Sequence, residues 1–135
     1  MILALDSWIV VAWLKDQPPG AERMAQLWRR AEAGQTQLIM SVVNVGEVFC
    51  LVAKLRGEDA ARAVLKNLRS RPLQILPAPK SLVLHAATLK ARHLVSCADA
   101  FAAATAIRNG APLVTGDPKM KLLAAEGLRL EWVES

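Results

Sequence analysis

The chain has 135 residues, 53% of them hydrophobic and 21% charged, which suits a single domain with a real core and excludes a disordered polar segment. Its net charge is +5 with a pI near 9.7, which favours a polyanionic partner such as nucleic acid. No apolar run reaches the length of a membrane span, and the opening MILALDSWIVVAWLKD is broken by Asp6 and lacks a basic leader, so a cytoplasmic protein without membrane contact is expected.

In chain order, ILAL (2–5) is a short apolar run that reads as a buried strand ending at Asp6. SWIVVAWL (7–14) follows as a short helix capped by Asp6 or Ser7, and QPPG (17–20) breaks it. AERMAQLWRRAEAG (21–34) has helical spacing through Met24, Leu27, Trp28 and Ala31, with Gly34 as the stop. QLIM (37–40) is a second strand; Ser41 caps a helix that runs to about Arg56, with Gly57 after it. EDAARAVLKNLRSR (58–71) is amphipathic, with Ala61, Val64, Leu65 and Leu68 inward. LQILPA (73–78) is a third strand, KSLVLHAATLKARH (80–93) a helix, and SCADAFAAATAIRNG (96–110) an alanine-rich helix capped by Ser96. PLVT (112–115) is a fourth strand. DPKMKLLAAEG (117–127) is predicted to be a helix with Asp117 as N-cap and Pro118 at its first position, and LRLEWV (128–133) a fifth strand. Strands alternating with helices imply parallel α/β layers.

One residue in this pattern calls for an explanation. Glu47 sits inside SVVNVGEVFCLVAK (41–54), where both sides of the expected helix look apolar. An unpaired buried carboxylate costs several kcal/mol, roughly, or gives up its charge. Three further acids fall at suggestive places. Asp6 lies at the carboxyl end of the first strand and Asp117 just past that of the fourth, the edge where open α/β sheets bind ligands. Asp99 lies in the first turn of its helix, three residues after Ser96. Taken singly, Asp6 and Asp117 are explained as helix caps, Asp99 by the helix dipole and Glu47 by a salt bridge. Together, four acids at one edge would repel one another, and a divalent cation with hard oxygen ligands, Mg²⁺ or Mn²⁺, removes that conflict.

The remaining chemistry is sparse. Cys50 and Cys97 follow no CxxC spacing and read as small buried thiols rather than a disulfide or zinc site. His85 and His93 form no zinc pattern, and His93 reads as a loop or core residue. With no Tyr and two Phe, an aromatic platform for single-stranded bases is not expected, and any nucleic-acid binding would lean on Lys and Arg contacts to phosphates. Arg29, Arg30, Lys90, Arg92, Lys119 and Lys121 are candidates, each also explained as a solvated helix face. An aspartyl phosphatase would need a second Asp two residues after Asp6, where Trp8 stands.

The chain resembles the PIN-domain ribonucleases, and most closely the compact VapC-type toxins of bacterial toxin–antitoxin pairs. The resemblance rests on LALDSWIVVAWL with Asp6, SVVNVGEV with Glu47, SCADAFAAATAIRNGAPLVTGD with Asp99, and the TGD that ends in Asp117, in that order and spacing. It implies a PIN-like three-layer sandwich whose short, mainly parallel sheet of four to five strands is flanked by helices, over residues 1–135 as one nuclease domain. It implies metal-dependent hydrolysis of RNA phosphodiesters to 5′-phosphate and 3′-hydroxyl ends. Asp6, Glu47 and Asp99 would ligate Mg²⁺ or Mn²⁺, and Asp117 would do so directly or through water. Thr115 and Ser7 match hydroxyl positions that bond the acids or the scissile phosphate. Asn44, one turn before Glu47, would orient it or serve as a polar residue of the cap region. The implied partners are an RNA substrate, a cognate antitoxin and a second copy of the chain in a homodimer. Trp8 and Trp13 are bulkier than the resemblance leads one to expect. Two other functions fit the same residues: a PIN nuclease of RNA processing, and a non-catalytic PIN fold used for partner contact.

Overall fold

The computed structural model describes residues 1–134. Five strands form one sheet: β1 (Ile2–Leu5), β2 (Gln37–Ser41), β3 (Leu73–Leu76), β4 (Leu113–Thr115) and β5 (Leu130–Trp132). Their spatial order is β3-β2-β1-β4-β5, and every neighbouring pair is parallel. Parallel neighbours need crossover connections, which the helices supply: α1 (Ser7–Leu14), α2 (Gly20–Glu32), α3 (Val42–Arg56), α4 (Glu58–Ser70), α5 (Lys80–Arg92) and α6 (Cys97–Arg108).

The strands are short and apolar because both faces of the sheet are covered. Successive side chains point to opposite faces, so in β1 Leu3 and Leu5 join one core cluster and Ala4 the other. The first cluster packs Ile9, Met24, Leu27, Trp28, Val48 and Leu68 from α1 to α4 against the sheet. The second packs Leu82 and Leu89 of α5, the alanines of α6, and Met120 and Leu123. Ala100, Ala102, Ala103, Ala104 and Ala106 are all buried, and this run of small side chains lets α6 lie close against β1, β2 and β4. The result is the expected three-layer sandwich, with all five strands parallel.

Several expectations change in detail. Residues Pro118–Glu126 form a 3-10 helix rather than an α-helix, although Asp117 caps it and Pro118 opens it as expected. β3 stops at Leu76, two residues before the predicted end, because Pro77 and Pro79 flank Ala78 and proline cannot donate to the ladder. Cys50 and Cys97 are exposed, not buried: Cys50 lies on the solvent side of α3 and Cys97 opens α6. Trp13 meets Trp28 edge-on, with centroids 5.6 Å apart at 65°, and the Arg71 guanidinium lies 4.6 Å from the Trp13 ring. That bulk is absorbed by packing between α1, α2 and the end of α4. Among the described residues no helix is long and apolar enough to cross a membrane.

The strand order places the site. From β1 the chain moves outward through β2 to β3, then returns to lay β4 on the other side of β1. Connections leaving β1 and β4 therefore diverge, and a crevice opens at the carboxyl ends of these two strands.

Candidate active site

Four elements bring acids to that crevice. Asp6 follows β1 and is buried, 4% exposed. Its Oδ1 accepts the Ile9 N–H at 3.1 Å, so Asp6 rather than Ser7 caps α1. Asp99 sits in a capping box: its N–H donates to Ser96 Oγ at 3.1 Å, and its Oδ2 accepts the Ser96 N–H at 3.0 Å. Asp117 follows β4, and its Oδ1 accepts the Lys119 N–H at 3.0 Å. All three aspartates are thus held at helix N-termini, where the positive end of the helix dipole favours an anion. Capping and convergence hold together. The cap explains one oxygen of each carboxylate, and the same three side chains, with Glu47 from the middle of α3, line one cavity of about 440 Å³.

The burial conflict expected at Glu47 belongs to Asp6. Glu47 is only half-buried, because α3 turns Asn44, Val45 and Val48 to the interior while Val42, Cys50 and Leu51 are exposed. Asp6 is pushed up to about 7 from 3.8. Burial is the main cause; the Thr115 hydroxyl and the Ile9 N–H oppose it; the charges of Asp117 and Asp99 push the same way as burial. Glu47 lines the cavity without adding to that push.

The supporting residues sit behind this lining. Thr115 is fully buried; its Oγ1 bonds the Asp6 carboxylate and accepts the Asp117 N–H at 3.1 Å, joining the two strand-end acids. The hydrogen bonds of Asn44 run to Ser7 and Ala98 rather than to Glu47. Its Nδ2 donates to the Ala98 carbonyl at 3.0 Å and to Ser7 Oγ at 3.4 Å, and Ser7 Oγ donates to the Asn44 carbonyl at 3.3 Å. Ser7 and Asn44 therefore fasten α1, α3 and α6 together around the cavity. Trp8, Val11, Pro18, Leu51 and Lys119 also line it. Of these, Lys119 stood out in the sequence as a basic residue near TGD. The apolar lining did not, because its members come from three separate segments.

The donor set fits a hard divalent cation in kind. Carboxylates line the cavity with no His or Cys among them; Asn44 is also in the lining, and its Oδ1 is buried without a hydrogen-bond partner. Its spacing is open: among the described residues no three of His, Cys, Asp and Glu stand close enough to form a preassembled cage.

A model of the PIN domain family matches residues 3–126. The chain belongs to the PIN domain family. Among solved structures, this PIN domain is similar to the VapC20 toxin of Mycobacterium tuberculosis, a sarcin-ricin loop cleaving toxin, with a TM-score of 0.73, 19% identity, and coverage of 93% of this chain and 95% of that one. It is similar to VapBC-1 of nontypeable Haemophilus influenzae, with a TM-score of 0.72, 22% identity and 98% of each chain covered. It is also similar to VapBC2 of Rickettsia felis bound to a DNA fragment from their promoter, with a TM-score of 0.71, 21% identity, and 97% and 98% covered. At these identities the likeness establishes the fold. No curated protein matches the chain significantly.

Proposed function

We propose that this PIN domain is a Mg²⁺- or Mn²⁺-dependent endoribonuclease, the toxin of a type II toxin–antitoxin pair, acting in the cytoplasm. The observation that carries the reading is the convergence of Asp6, Glu47, Asp99 and Asp117 on one cavity at the carboxyl edge of a parallel sheet. Asp6, Glu47 and Asp99 would hold the cation, with Asp117 joining them directly or through water. Bound there, a divalent ion supplies a water of lowered pKa and neutralises charge on the phosphate.

The chain's own residues do the positioning. The Ile9 N–H and the Thr115 hydroxyl fix the Asp6 carboxylate, and Thr115 fixes the backbone of Asp117 relative to it. Ser96 fixes Asp99. The Asn44–Ser7–Ala98 contacts hold α1, α3 and α6 at the spacing that makes the cavity. None of the acids acts as a covalent nucleophile in this scheme. Lys119, in the same lining, would meet a phosphate.

Partner surfaces lie beside the site. An apolar groove formed by Val11, Leu14, Leu51, Leu55 and Val64 shares Val11 and Leu51 with the acidic cavity, so an antitoxin segment with an apolar face would cover both at once. Lys15 and Arg56 also line that groove and suit acidic residues on such a segment. On α5, Val83 and Leu84 are 41% and 58% exposed, and Leu94 beyond it is 90% exposed; a second copy in a homodimer would cover them.

The test is incubation of total RNA with the purified protein in Mg²⁺ and in EDTA, with cleavage sites mapped by their ends. Mg²⁺-dependent cuts leaving 5′-phosphates, lost in Asp99→Asn protein that keeps its fold, are expected. Cutting that persists in EDTA, or wild-type cutting by the variant, would contradict the assignment.

A further inference from the structure

The acidic cavity also has apolar lining residues that phosphodiester chemistry alone does not require. Opposite in character to the carboxylates, Trp8, Val11, Ala12, Pro18 and Leu51 give it an apolar surface. Trp8 is its largest member. It follows Asp6 and Ser7 directly, in the first turn of α1.

Two glycines hold the indole. A Cβ built on Gly116, in the turn between Thr115 and Asp117, would lie 2.4 Å from Cη2, 2.6 Å from Cζ2 and 2.9 Å from Cζ3 of Trp8. A Cβ on Gly20 would lie 3.3 Å from Cη2 and Cζ3 of the same ring, and 2.7 Å from the Ala12 Cβ. Neither glycine has a positive φ, so backbone freedom does not call for glycine at either position. At Gly116 space for the ring does; at Gly20 the nearer conflict is with the Ala12 Cβ, and the ring is the next neighbour. The six-membered ring of Trp8 is seated against both backbones, while the side chain as a whole is only half-buried and reaches the cavity lining. An aromatic surface fixed in this way loses little freedom when a ligand arrives.

We infer that Trp8 is the surface on which the substrate nucleobase next to the scissile phosphate rests, so that the apolar lining binds the base while the acids bind the reacting phosphodiester. A flat π-face beside a charged site is the chemistry that recognises an unstacked nucleotide, since every base presents a face regardless of sequence. The cavity volume of about 440 Å³ lies in the range of small-molecule sites rather than of a bare ion site. The sparse aromatic content of the chain argued against a stacking platform, but a single tryptophan, placed by two glycines, is enough for one base. This inference rests on the nuclease reading above.

The test pairs a change in the protein with a change in the RNA. In a short RNA containing a mapped cleavage site, the nucleotide on either side of the scissile bond is replaced in turn by an abasic one. Wild-type, Trp8→Phe and Trp8→Leu proteins, each checked for a native circular dichroism spectrum and melt, are assayed for kcat and KM in Mg²⁺. Trp8→Leu should raise KM on the intact RNA by roughly 5- to 150-fold, the range that loss of one stacked base gives. Trp8→Phe should keep most of the affinity. On the RNA that is abasic at the stacked position, wild-type and Trp8→Leu proteins should have the same KM. Equal losses on intact and both abasic RNAs would mean that Trp8 only shapes the loop, and would overturn the inference while leaving the nuclease reading standing. Absence of cleavage by the wild-type protein would remove that reading itself.

Discussion

At the scale of single residues, Asp6 is the acid that the fold buries, held at the end of β1 by the Ile9 N–H. Glu47 drew attention because its sequence neighbours are apolar, but a helix in the outer layer has one face toward solvent or a cavity, and Glu47 lies at that boundary. Asp6 looked like an ordinary cap and is the buried carboxyl. Its folded value of about 7 stands above the unfolded 3.8, so its contribution to stability is fully present below about pH 4 and is lost as pH rises toward 7. Asp6→Asn should therefore melt higher than wild type above pH 7 in EDTA, by an amount worth roughly a few kcal/mol, with the advantage vanishing near pH 4. Thermal melts at both pH values check this; an offset that is the same at both would contradict it. Gly116 offers a second test, because its constraint is steric. Gly116→Ala should lose cleavage as its methyl group meets the Trp8 ring, and adding Trp8→Leu should restore part of the turnover on RNA that is abasic at the stacked position. A double variant no better than Gly116→Ala alone would place the clash elsewhere.

At the scale of elements, the alternation of short apolar runs with amphipathic stretches was enough to locate every strand and helix to within a few residues. Helix caps were the clearest part, since Ser41, Ser96 and Asp117 each make the predicted side-chain contact. What the pattern could not give was helix type after Asp117, or the exposure of Cys50, because both depend on what packs against the element. His93 shows the same limit: as a loop residue it is as expected, and the structure adds its 2.9 Å contact with Glu126, which with Arg92 ties α5 to the end of the 3-10 helix. The order and spacing of the acids pointed to one edge, and all four line one cavity there, though among the described residues no three stand close enough to form a cage; the apolar lining was not legible, for it is assembled from α1, the QPPG turn and α3. Ser96 is a test at this scale. Ser96→Ala removes one half of the capping box and should cost about 1 kcal/mol, read as a lower melting temperature. It should also lower turnover, since the Asp99 N–H loses its side-chain acceptor. Unchanged turnover with the lower melt would show that Asp99 needs no such support.

At the scale of the whole molecule, charge and shape divide the work. The chain is basic overall while its cavity is lined by acids, so in the proposed function attraction for a polyanion and chemistry on it would belong to different surfaces. Exposed Leu84 and Leu94 give the proposed homodimer a definite test: in sedimentation the wild type should run as a dimer and the Leu84→Asp, Leu94→Asp variant as a folded monomer. A wild-type monomer would contradict that assembly without touching the site. The proposed function requires that the carboxylates gathered near the ends of β1 and β4 hold a divalent ion. Titration calorimetry of Mn²⁺ into wild-type and Asp6→Asn proteins at pH 7 measures this directly. Wild type should bind with a heat that varies with the buffer, because Asp6 surrenders a proton as the ion enters, and the variant should show no such binding. Equal binding by both proteins, or none by wild type, would contradict it.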